Sequence, residues 1–282
     1  MSSTGILYLV ATPIGNLEDI TLRALRILRE VDIVAAEDTR QTIKLLNHFD
    51  IKKPLISYHE HNKAEKGNYL VQQLIEGKSI ALVTDAGTPG ISDPGEDLVR
   101  LTIENGITAT MIPGPVALIS GLILSGLSTG RFVFEGYLPI NKRSREERLL
   151  SLQKETRTLV FYEAPHKLIR TLKDIYGVYG NRRIALAREL TKKFEELVRC
   201  TIEEAIKRYE NESPRGEFVL IVEGVDEKVI AENKRKSWDN LSFEEHLSLQ
   251  MGNGLNKKEA MKKVAEERGL KKRDVYNSLI KK

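Results

Sequence analysis

The chain has 282 residues, of which 41% are hydrophobic and 30% charged, and its formal net charge is +4, so it is long enough for two domains with sizeable cores. No apolar run approaches the roughly 20 residues that a membrane-spanning helix needs, and the amino terminus lacks the basic-then-apolar order of a signal peptide, so we expect a cytoplasmic protein without a membrane partner. The single cysteine, Cys200, excludes an internal disulfide framework and a cysteine metal cluster.

The first predicted strand, residues 6–11, ends in a short turn that contains Pro13 and Gly15. Apolar residues then recur at helical spacing from Leu22 onward, behind a polar cap at residues 19–21, and indicate an amphipathic helix. A second strand is predicted over residues 31–36. This strand, helix, strand order is typical of an α/β protein.

The second strand ends in two carboxylates and an arginine, Glu37, Asp38 and Arg40. Such a group can hold a hydroxyl, a ribose or a phosphate. Alternatively, Asp38 or Thr39 only caps the next predicted helix, residues 41–49, and the local sequence by itself favours the cap.

Two histidines, His59 and His61, flank Glu60 after a short strand predicted at residues 55–59. Their spacing differs from that of metal-binding helices and no third ligand is evident, so we expect a solvated loop and no metal site. A helix is predicted next, over residues 63–76.

The most unusual stretch follows the buried strand predicted at residues 79–84. It reads DAGTPGISDPG from Asp85 to Gly95 and leads into a helix predicted at residues 95–105. Glycines let a ligand approach the backbone and prolines stiffen the connection. We therefore expect a rigid cradle at the carboxyl end of a strand, where open α/β sheets bind ligands. The alternative is an elaborate surface turn.

A third Pro/Gly turn, MIPGPV at residues 111–116, joins a strand predicted at residues 107–111 to a helix predicted at residues 116–127. Three strands that end in such turns indicate one shared crevice for a small molecule. The alternation of strands and helices up to this point predicts a mostly parallel sheet with crossover helices, and a first domain over residues 1–113.

A second α/β domain is predicted over residues 114–225. Two of its strands end in polar corners, one with Tyr162, Glu163 and His166, the other with Glu189 and Lys192. Each corner is either a salt-bridged surface feature or part of the crevice, and both lie at one sheet edge if the core of this sheet is also parallel. The strands are predicted at residues 131–135, 159–162, 184–188, 196–200 and 217–222, and the helices at residues 144–153, 166–176 and 203–209.

Basic residues are concentrated near the carboxyl end, where residues 256–282 hold ten Lys/Arg and four acids. Three short helices predicted at residues 242–251, 256–268 and 271–280 have the apolar spacing and glycine break of a helix-turn-helix. Residues 226–282 are therefore predicted to comprise a linker and a basic module. The linker belongs to a polar stretch at residues 223–237, and the module is expected to bind a nucleic-acid backbone. The alternative is a small capping bundle. A basic stretch at residues 141–148 is either a solvated helix start or a phosphate-contacting patch.

Seven motifs, in their order along the chain, resemble those of the cytidine 2′-O-methyltransferases of small-subunit ribosomal RNA, within the tetrapyrrole methylase superfamily. They are LVATPIGNLEDIT, AEDTR, DAGTPGISDPG, IPGP, FYEAPHK, AREL-K and RGEFVLIVEG. The resemblance spans residue 5 to about residue 224, and the tail resembles the family's helix-turn-helix-like domain. It implies two α/β domains with S-adenosylmethionine in the cleft between them, plus a small helical carboxyl-terminal module.

The resemblance also implies which residues bind the cofactor. The cradle would contribute mainly backbone groups, with the first turn on the near wall and the second domain on the far wall. The implied residues are Pro13, Gly15, Asp85, Gly87, Thr88, Pro89, Ile91, Ser92, Ser120, Tyr162, Glu163, Ala187, Gly216 and Glu217.

Transfer of a methyl group to a ribose hydroxyl needs alignment and a group that removes the proton or stabilises the developing oxyanion. We assign this role to Glu37, Asp38 and Arg40, with a carboxylate as base or ribose acceptor and Arg40 on a phosphate or oxyanion. The sequence does not identify the base. Further candidates by chemistry are Glu163, His166, Glu189 and Lys192.

The resemblance implies a cytidine in the decoding region of 16S ribosomal RNA as the target, the small ribosomal subunit as the partner, and a homodimer. Two other classes compete. A tetrapyrrole or diphthine-type methyltransferase has no reason for a basic tail, and a non-catalytic RNA-binding protein does not need the cofactor turns. Tetrapyrrole-directed relatives commonly have G-D-P where this chain has Gly87, Thr88 and Pro89, which argues against a porphyrin substrate.

Overall fold

The computed structural model of the chain describes residues 4–229 and 241–280. Its described residues fall into two compact units. The larger unit runs up to Ser151 and resumes over Thr158–Glu223, and the smaller unit combines Leu152–Arg157 with the described residues from Gly224 onward. The domain boundaries expected from the sequence remain predictions.

The larger unit contains two five-stranded sheets, and the first sheet is entirely parallel. Its strand order is β3-β2-β4-β1-β5. Strands β2 and β4 are buried along their whole length, as expected of apolar strands covered on both faces. The strands are β1 (Ile6–Val10), β2 (Ile33–Ala36), β3 (Leu55–Ser57), β4 (Ile80–Val83) and β5 (Thr108–Ile112). The predicted parallel sheet is thereby confirmed.

Four helices connect these strands, and a side chain caps the first residues of two of them. The Thr21 hydroxyl accepts a hydrogen bond from the Ala24 N–H at the start of the first helix. Asp38 caps the second, which begins two residues earlier than predicted. The helices are α1 (Leu22–Glu30), α2 (Thr39–His48), α3 (Lys63–Ile75) and α4 (Gly95–Glu104), and a 3-10 turn, Leu17–Asp19, precedes α1.

The second sheet is mixed, with the strand order β6-β7-β10-β8-β9. Its strands are β6 (Phe132–Tyr137), β7 (Thr158–Glu163), β8 (Arg183–Arg188), β9 (Glu196–Thr201) and β10 (Phe218–Val222). Only β6 and β7 pair in parallel, so the condition of a parallel core is not met: β10 runs antiparallel between β7 and β8. The ends of β7 and β8 nevertheless meet at one edge, because Phe218 pairs with both Glu163 and Arg188.

Helices cover the second sheet as crossover layers. Helix α5 packs on the sheet at a small residue, since a Cβ added to Gly121 would lie 3.3 Å from the Val219 side chain. The apolar cluster beneath it includes Leu118, Leu122 and Ile221. The helices are α5 (Ala117–Ser125), α6 (Lys142–Ser151), α7 (Leu168–Tyr179) and α8 (Ile202–Asn211), with a 3-10 turn at Pro165–Lys167.

The smaller unit contains the three predicted carboxyl-terminal helices, Phe243–Gly252, Lys257–Arg268 and Lys272–Ile280. The first two begin with capping boxes at Ser242 and Asn256. Their core is formed by Ala260, Val264 and other apolar side chains. The predicted polar linker extends beyond the described residues. Within residues 4–229 and 241–280, no helix is long and apolar enough to cross a bilayer.

Candidate functional site

The carboxyl ends of the parallel strands converge at one edge of the first sheet, where the turns after β1 and β4 are joined to each other. Thr12 and Gly87 form an isolated antiparallel bridge. The Thr12 N–H donates to the Gly87 carbonyl at 2.8 Å, and the Gly87 N–H donates back to the Thr12 carbonyl at 3.1 Å. The predicted first turn and the predicted cradle therefore form one surface.

The cradle is held in shape by Asp93, a residue that the sequence did not single out. Its carboxylate accepts from the Gly90 N–H at 2.9 Å and from the Gly95 N–H at 2.7 Å. Gly87, Gly90 and Ser92 all have positive φ, a conformation that favours glycine. A Cβ on Gly95 would lie 2.7 Å from an Asp93 oxygen. The turn is thus a rigid arrangement of backbone groups with little side-chain cover.

A cleft lies against this cradle and has walls from both sheets of the larger unit. It brings together Gly87, Thr88, Ile91, Tyr162, Ala187 and Glu217 from the residues implied by the resemblance. The Thr88 hydroxyl donates to the Pro115 carbonyl at 3.3 Å and links the cradle to the third turn. The other lining residues are Ile14, Ala86, Val116, Ala117, Tyr137, Glu189, Leu190, Lys192, Phe218 and Val219.

Three charged side chains lie together on the cleft wall. The Lys192 ammonium is 2.9 Å from Glu189 Oε1 and 3.6 Å from Glu217 Oε2. Glu189 Oε1 also accepts from the Glu217 N–H at 3.1 Å. Partial burial raises the pKa of Glu189, but the hydrogen bonds from Lys192 and from the Glu217 backbone outweigh it, so this pKa lies below its ordinary value.

Unusual backbone conformations build this charged group. Glu189 and Thr191 adopt positive φ values of 49° and 65°, which few non-glycine residues do outside functional or tight-turn sites. A Cβ on Gly216 would lie 2.4 Å from Glu189 Cγ, and one on Gly15 would lie 2.2 Å from Lys192 Cγ. Gly15 and Gly216, two of the residues implied by the resemblance, thus leave room for Lys192 and Glu189.

Two tyrosines give the cleft an aromatic wall. The rings of Tyr137 and Tyr162 are 5.7 Å apart, and Phe134 lies 5.0 Å behind Tyr162. Burial raises the pKa of both tyrosines, and the carboxylates of Glu217, Glu163 and Glu37 raise that of Tyr137 further. Tyr137 lies beyond the predicted end of its strand, which is why sequence reasoning missed it. Both hydroxyls stay protonated near neutral pH.

The proposed catalytic group, Glu37, Asp38 and Arg40, lies at the end of β2, beside the end of β4. The Thr84 hydroxyl donates to Glu37 Oε2 at 2.7 Å, and the Asp38 N–H donates to Asp85 Oδ1 at 3.0 Å. The structure places none of the three among the residues that line the cleft. Asp38 caps α2, as the local sequence favours, and also pairs with Arg40, while the catalytic role of the group stays a prediction.

The side-chain pairing of Asp38 with Arg40 defines the chemistry of this group. Hydrogen bonds from the Arg40 side chain, then from the Arg40 backbone, lower the pKa of Asp38 to about 2. Such a carboxylate is a weak base near neutral pH. The Arg40 side chain is 86% exposed and lies free to meet an anion from solvent.

Several implied cofactor residues lie near the cleft without lining it. The Glu163 carboxylate is buried and accepts from the Ala164 N–H at 2.8 Å and the Thr171 hydroxyl at 2.5 Å. The Ser120 hydroxyl donates to the Val116 carbonyl within its own helix at 3.1 Å. The remaining implied residues outside the lining are Pro13, Gly15, Asp85, Pro89, Ser92 and Gly216.

The missed lining residues fall into two kinds. Ile14, Ala86 and Val116 are direct neighbours of residues in the predicted turns, so the turns themselves were the signal for them. Leu190, in the turn after β8, and Phe218 and Val219, in β10, are buried apolar residues, and their apolar character does not distinguish a cleft wall from a core. Within the described residues, no group of three or more His, Cys, Asp or Glu is arranged to hold a metal ion.

Comparisons with known proteins show which family the chain belongs to. Residues 6–206 match the family model of the tetrapyrrole (corrin/porphyrin) methylases. A Halalkalibacterium halodurans protein named ribosomal RNA small subunit methyltransferase I is 52% identical over 97% of this chain and 94% of its own length. The Thermotoga maritima protein of that name is 48% identical over 78% of this chain and 99% of its own length.

Solved structures share the fold at low sequence identity. A uroporphyrin-III C-methyltransferase from Thermus thermophilus, solved in complex with S-adenosyl homocysteine, has a TM-score of 0.57 and 20% identity. The match covers 77% of this chain and 97% of that one. The architecture with two sheets and a cleft is thus that of known methyltransferases.

Proposed function

Because the chain belongs to the tetrapyrrole methylase family, we propose that it is an S-adenosylmethionine-dependent methyltransferase acting on the 2′-hydroxyl of a cytidine in 16S ribosomal RNA, cytidine 1402. The observation that carries this function is the 52% identity, over nearly the full length of both chains, to a protein named for the same activity class. The cleft at the carboxyl edge of the parallel sheet supports this proposal, because open α/β sheets bind ligands at that edge.

The residues of the cleft fit S-adenosylmethionine. A Cβ on Gly87 would lie 3.2 Å from Ile14 Cγ2, so a side chain would be crowded at this position. Without a side chain, a ligand can approach the backbone of the cradle closely. The aromatic wall of Tyr137 and Tyr162 suits a flat heterocycle and a cation. Glu189 and Glu217 supply negative charge opposite a positively charged ligand. When bound, the cofactor supplies a methyl group already activated on a sulfonium.

The chain's own contribution to transfer is positioning and charge. Arg40, fixed by both oxygens of Asp38, would contact a phosphate of the RNA or the developing ribose oxyanion. Since the pKa of Asp38 is about 2, its role in this proposal is to position Arg40. Glu37, which accepts from Thr84, is the carboxylate left to take the hydroxyl proton or to bind the ribose.

Basic surfaces support an RNA substrate. Lys257, Lys258, Lys262 and Lys263 are exposed on the helix Lys257–Arg268, where they can neutralise phosphates. At the basic start of α6, Arg145 is buried and its guanidinium lies 2.6 Å from the Asp174 carboxylate. Only the basic neighbours of Arg145 are therefore available to RNA. We propose the assembled small ribosomal subunit, in the cytoplasm, as the partner.

Two features separate this function from methylation of a tetrapyrrole or of diphthine. The turn has Thr88 where tetrapyrrole-directed relatives commonly have aspartate, and the smaller unit presents lysines that a porphyrin enzyme does not need. The proposed homodimer stays a prediction, to be tested by sedimentation equilibrium of the purified protein.

The test uses labelled S-adenosylmethionine and small subunits isolated from cells lacking the protein. Incorporation of label into the ribosomal RNA is expected. If the RNA stays unlabelled while a tetrapyrrole or a protein accepts the methyl group, the proposed substrate is wrong. A parallel reaction with deproteinised RNA tests the partner, since we expect the assembled subunit to be the better substrate.

A further inference from the structure

The cleft carries a formal excess of negative charge. Its lining includes two carboxylates, Glu189 and Glu217, and one ammonium, Lys192. The pKa of Glu189 lies below its ordinary value because hydrogen bonds from Lys192 and the Glu217 backbone outweigh the effect of its burial, so it is ionised near neutral pH. The two lining tyrosines stay neutral, since burial raises the pKa of each. The formal excess is therefore one negative charge.

Two of these charges, on Glu189 and Lys192, are held in place by the surrounding structure, whereas the Glu217 side chain is 73% exposed. Glu189 is fixed by the Glu217 N–H at 3.1 Å and by the close approach of Gly216. The methylene chain of Lys192 lies against Gly15 of the first turn while its ammonium reaches both carboxylates. Lys192 thus links the turn after β8 to the turn after β1. A charge that cannot move away acts on a ligand at nearly constant distance.

The methyl donor and its product differ in charge. S-adenosylmethionine carries a sulfonium, an ammonium and a carboxylate, whereas the product lacks the sulfonium charge and is electrically neutral. A cleft with an excess of negative charge therefore binds the donor in preference to the product. The size of that preference depends on how many of the negative charges are offset.

Resting on the proposed function, we propose that Lys192 sets how strongly the cleft prefers the cationic methyl donor over the neutral product, by offsetting one of the two carboxylates, Glu189 and Glu217. Without its ammonium the excess would double and the donor would be favoured further. Without Glu217 the excess would vanish and the preference would fall. Lys192 is thus a residue that sets the selectivity of the cleft between the methyl donor and its product.

The experiment measures the dissociation constants of S-adenosylmethionine, S-adenosylhomocysteine and sinefungin by calorimetry on the full-length protein. Sinefungin has an ammonium in place of the sulfonium and does not transfer a methyl group. Lys192→Met is expected to raise the ratio of product to donor dissociation constants about fivefold, and Glu217→Gln to lower it by a similar factor. Lys192→Arg keeps the charge and should keep the ratio.

The matched control is Lys193→Met, which removes the same charge one residue along the chain. Lys193 is exposed and does not line the cleft, so this variant should keep the wild-type ratio. The dissociation constant of sinefungin should change by the same factor as that of the donor in every variant, because sinefungin carries the same charge but does not react.

Opposite shifts for Lys192→Met and Glu217→Gln support the inference, because a merely structural loss would weaken all three ligands by the same factor. Unchanged ratios, or shifts in the same direction, would overturn it while leaving the proposed function intact. If wild-type protein binds neither donor nor product, the proposed function itself fails, and the inference fails with it.

Discussion

The carboxylate of Asp38 holds Arg40 through both of its oxygens: Oδ1 accepts from Arg40 Nε at 3.0 Å and Oδ2 from a terminal guanidinium nitrogen at 2.7 Å. The same Oδ1 accepts from the Arg40 N–H at 2.8 Å and so begins α2. One carboxylate therefore caps a helix and also aims an exposed arginine at the edge where the strands end.

Replacing Asp38 by asparagine separates these two functions. Asparagine caps helices about as well as aspartate, so the thermal midpoint should change little, while Arg40 loses its ionic partner. We expect kcat for methyl transfer to fall about tenfold, equivalent to ~1.4 kcal/mol of transition-state stabilisation. Steady-state kinetics with ribosomal subunits measures this.

The pH profile supplies the control for Asp38→Asn. Since the pKa of Asp38 is about 2, the carboxylate does not titrate between pH 5 and 9, and wild type and variant should have profiles of the same shape in that range. A variant with wild-type kcat would contradict the role given to Asp38 and Arg40.

Gly15 is expected to tolerate no side chain while Lys192 keeps its position. In Gly15→Ala the new Cβ would lie 2.2 Å from Lys192 Cγ, so the lysine must move into the cleft. We expect the dissociation constant of S-adenosylhomocysteine to rise about tenfold, in the range of overpacking costs of ~1 to 3 kcal/mol. Gly130→Ala is the control, because nothing lies within 4 Å of a Cβ there. Equal affinities for the two variants would show that Gly15 has another role.

Asp93 is expected to support cofactor binding without contacting the cofactor. Asp93→Ala removes the acceptors of the Gly90 and Gly95 N–H groups, and leaving such groups unpaired costs about 1 to 3 kcal/mol. Affinity for S-adenosylhomocysteine should fall, as measured by calorimetry. Asp93→Asn keeps an oxygen acceptor and should lie between wild type and alanine. Wild-type affinity in a folded Asp93→Ala protein would refute this role for the carboxylate.

The smaller unit contains a carboxylate whose contribution to stability depends on pH. Hydrogen bonds from the Arg157 side chain lower the pKa of Glu155 to about 2. A carboxylate whose pKa is lowered by folding stabilises the folded state at pH values above its pKa in the unfolded chain, which is about 4. This contribution is lost as the pH falls through 2. The thermal midpoint of Glu155→Gln should therefore lie below that of wild type at pH 7, and the difference should shrink between pH 4 and pH 2. A difference that stays constant over this range would contradict the ionic origin.

The elements of the fold that have a local sequence pattern of their own could be predicted from the sequence. Buried apolar runs followed by Pro/Gly turns located β1, β4 and β5 and the shared edge at which they end. The direction of β10 could not be predicted in this way, because an apolar strand has the same pattern in either direction. It depends on pairing with two distant strands.

The directions of the side chains at the site could not be predicted from the sequence motifs alone. Tyr162 and Glu163 both belong to the resembling motif, but adjacent residues of a strand point to opposite faces. Tyr162 lines the cleft, and Glu163 is buried against Thr171. Lys192 lies in the cleft because Glu189 and Thr191 adopt positive φ, a conformation that their residue types do not favour.

The most direct measurement is nucleoside analysis by mass spectrometry of 16S ribosomal RNA after reaction with this protein and isotopically labelled S-adenosylmethionine. The account predicts that labelled 2′-O-methylcytidine is the product and that none forms without the protein. A label carried on the base, or RNA that remains unlabelled although the protein binds S-adenosylmethionine, would contradict it.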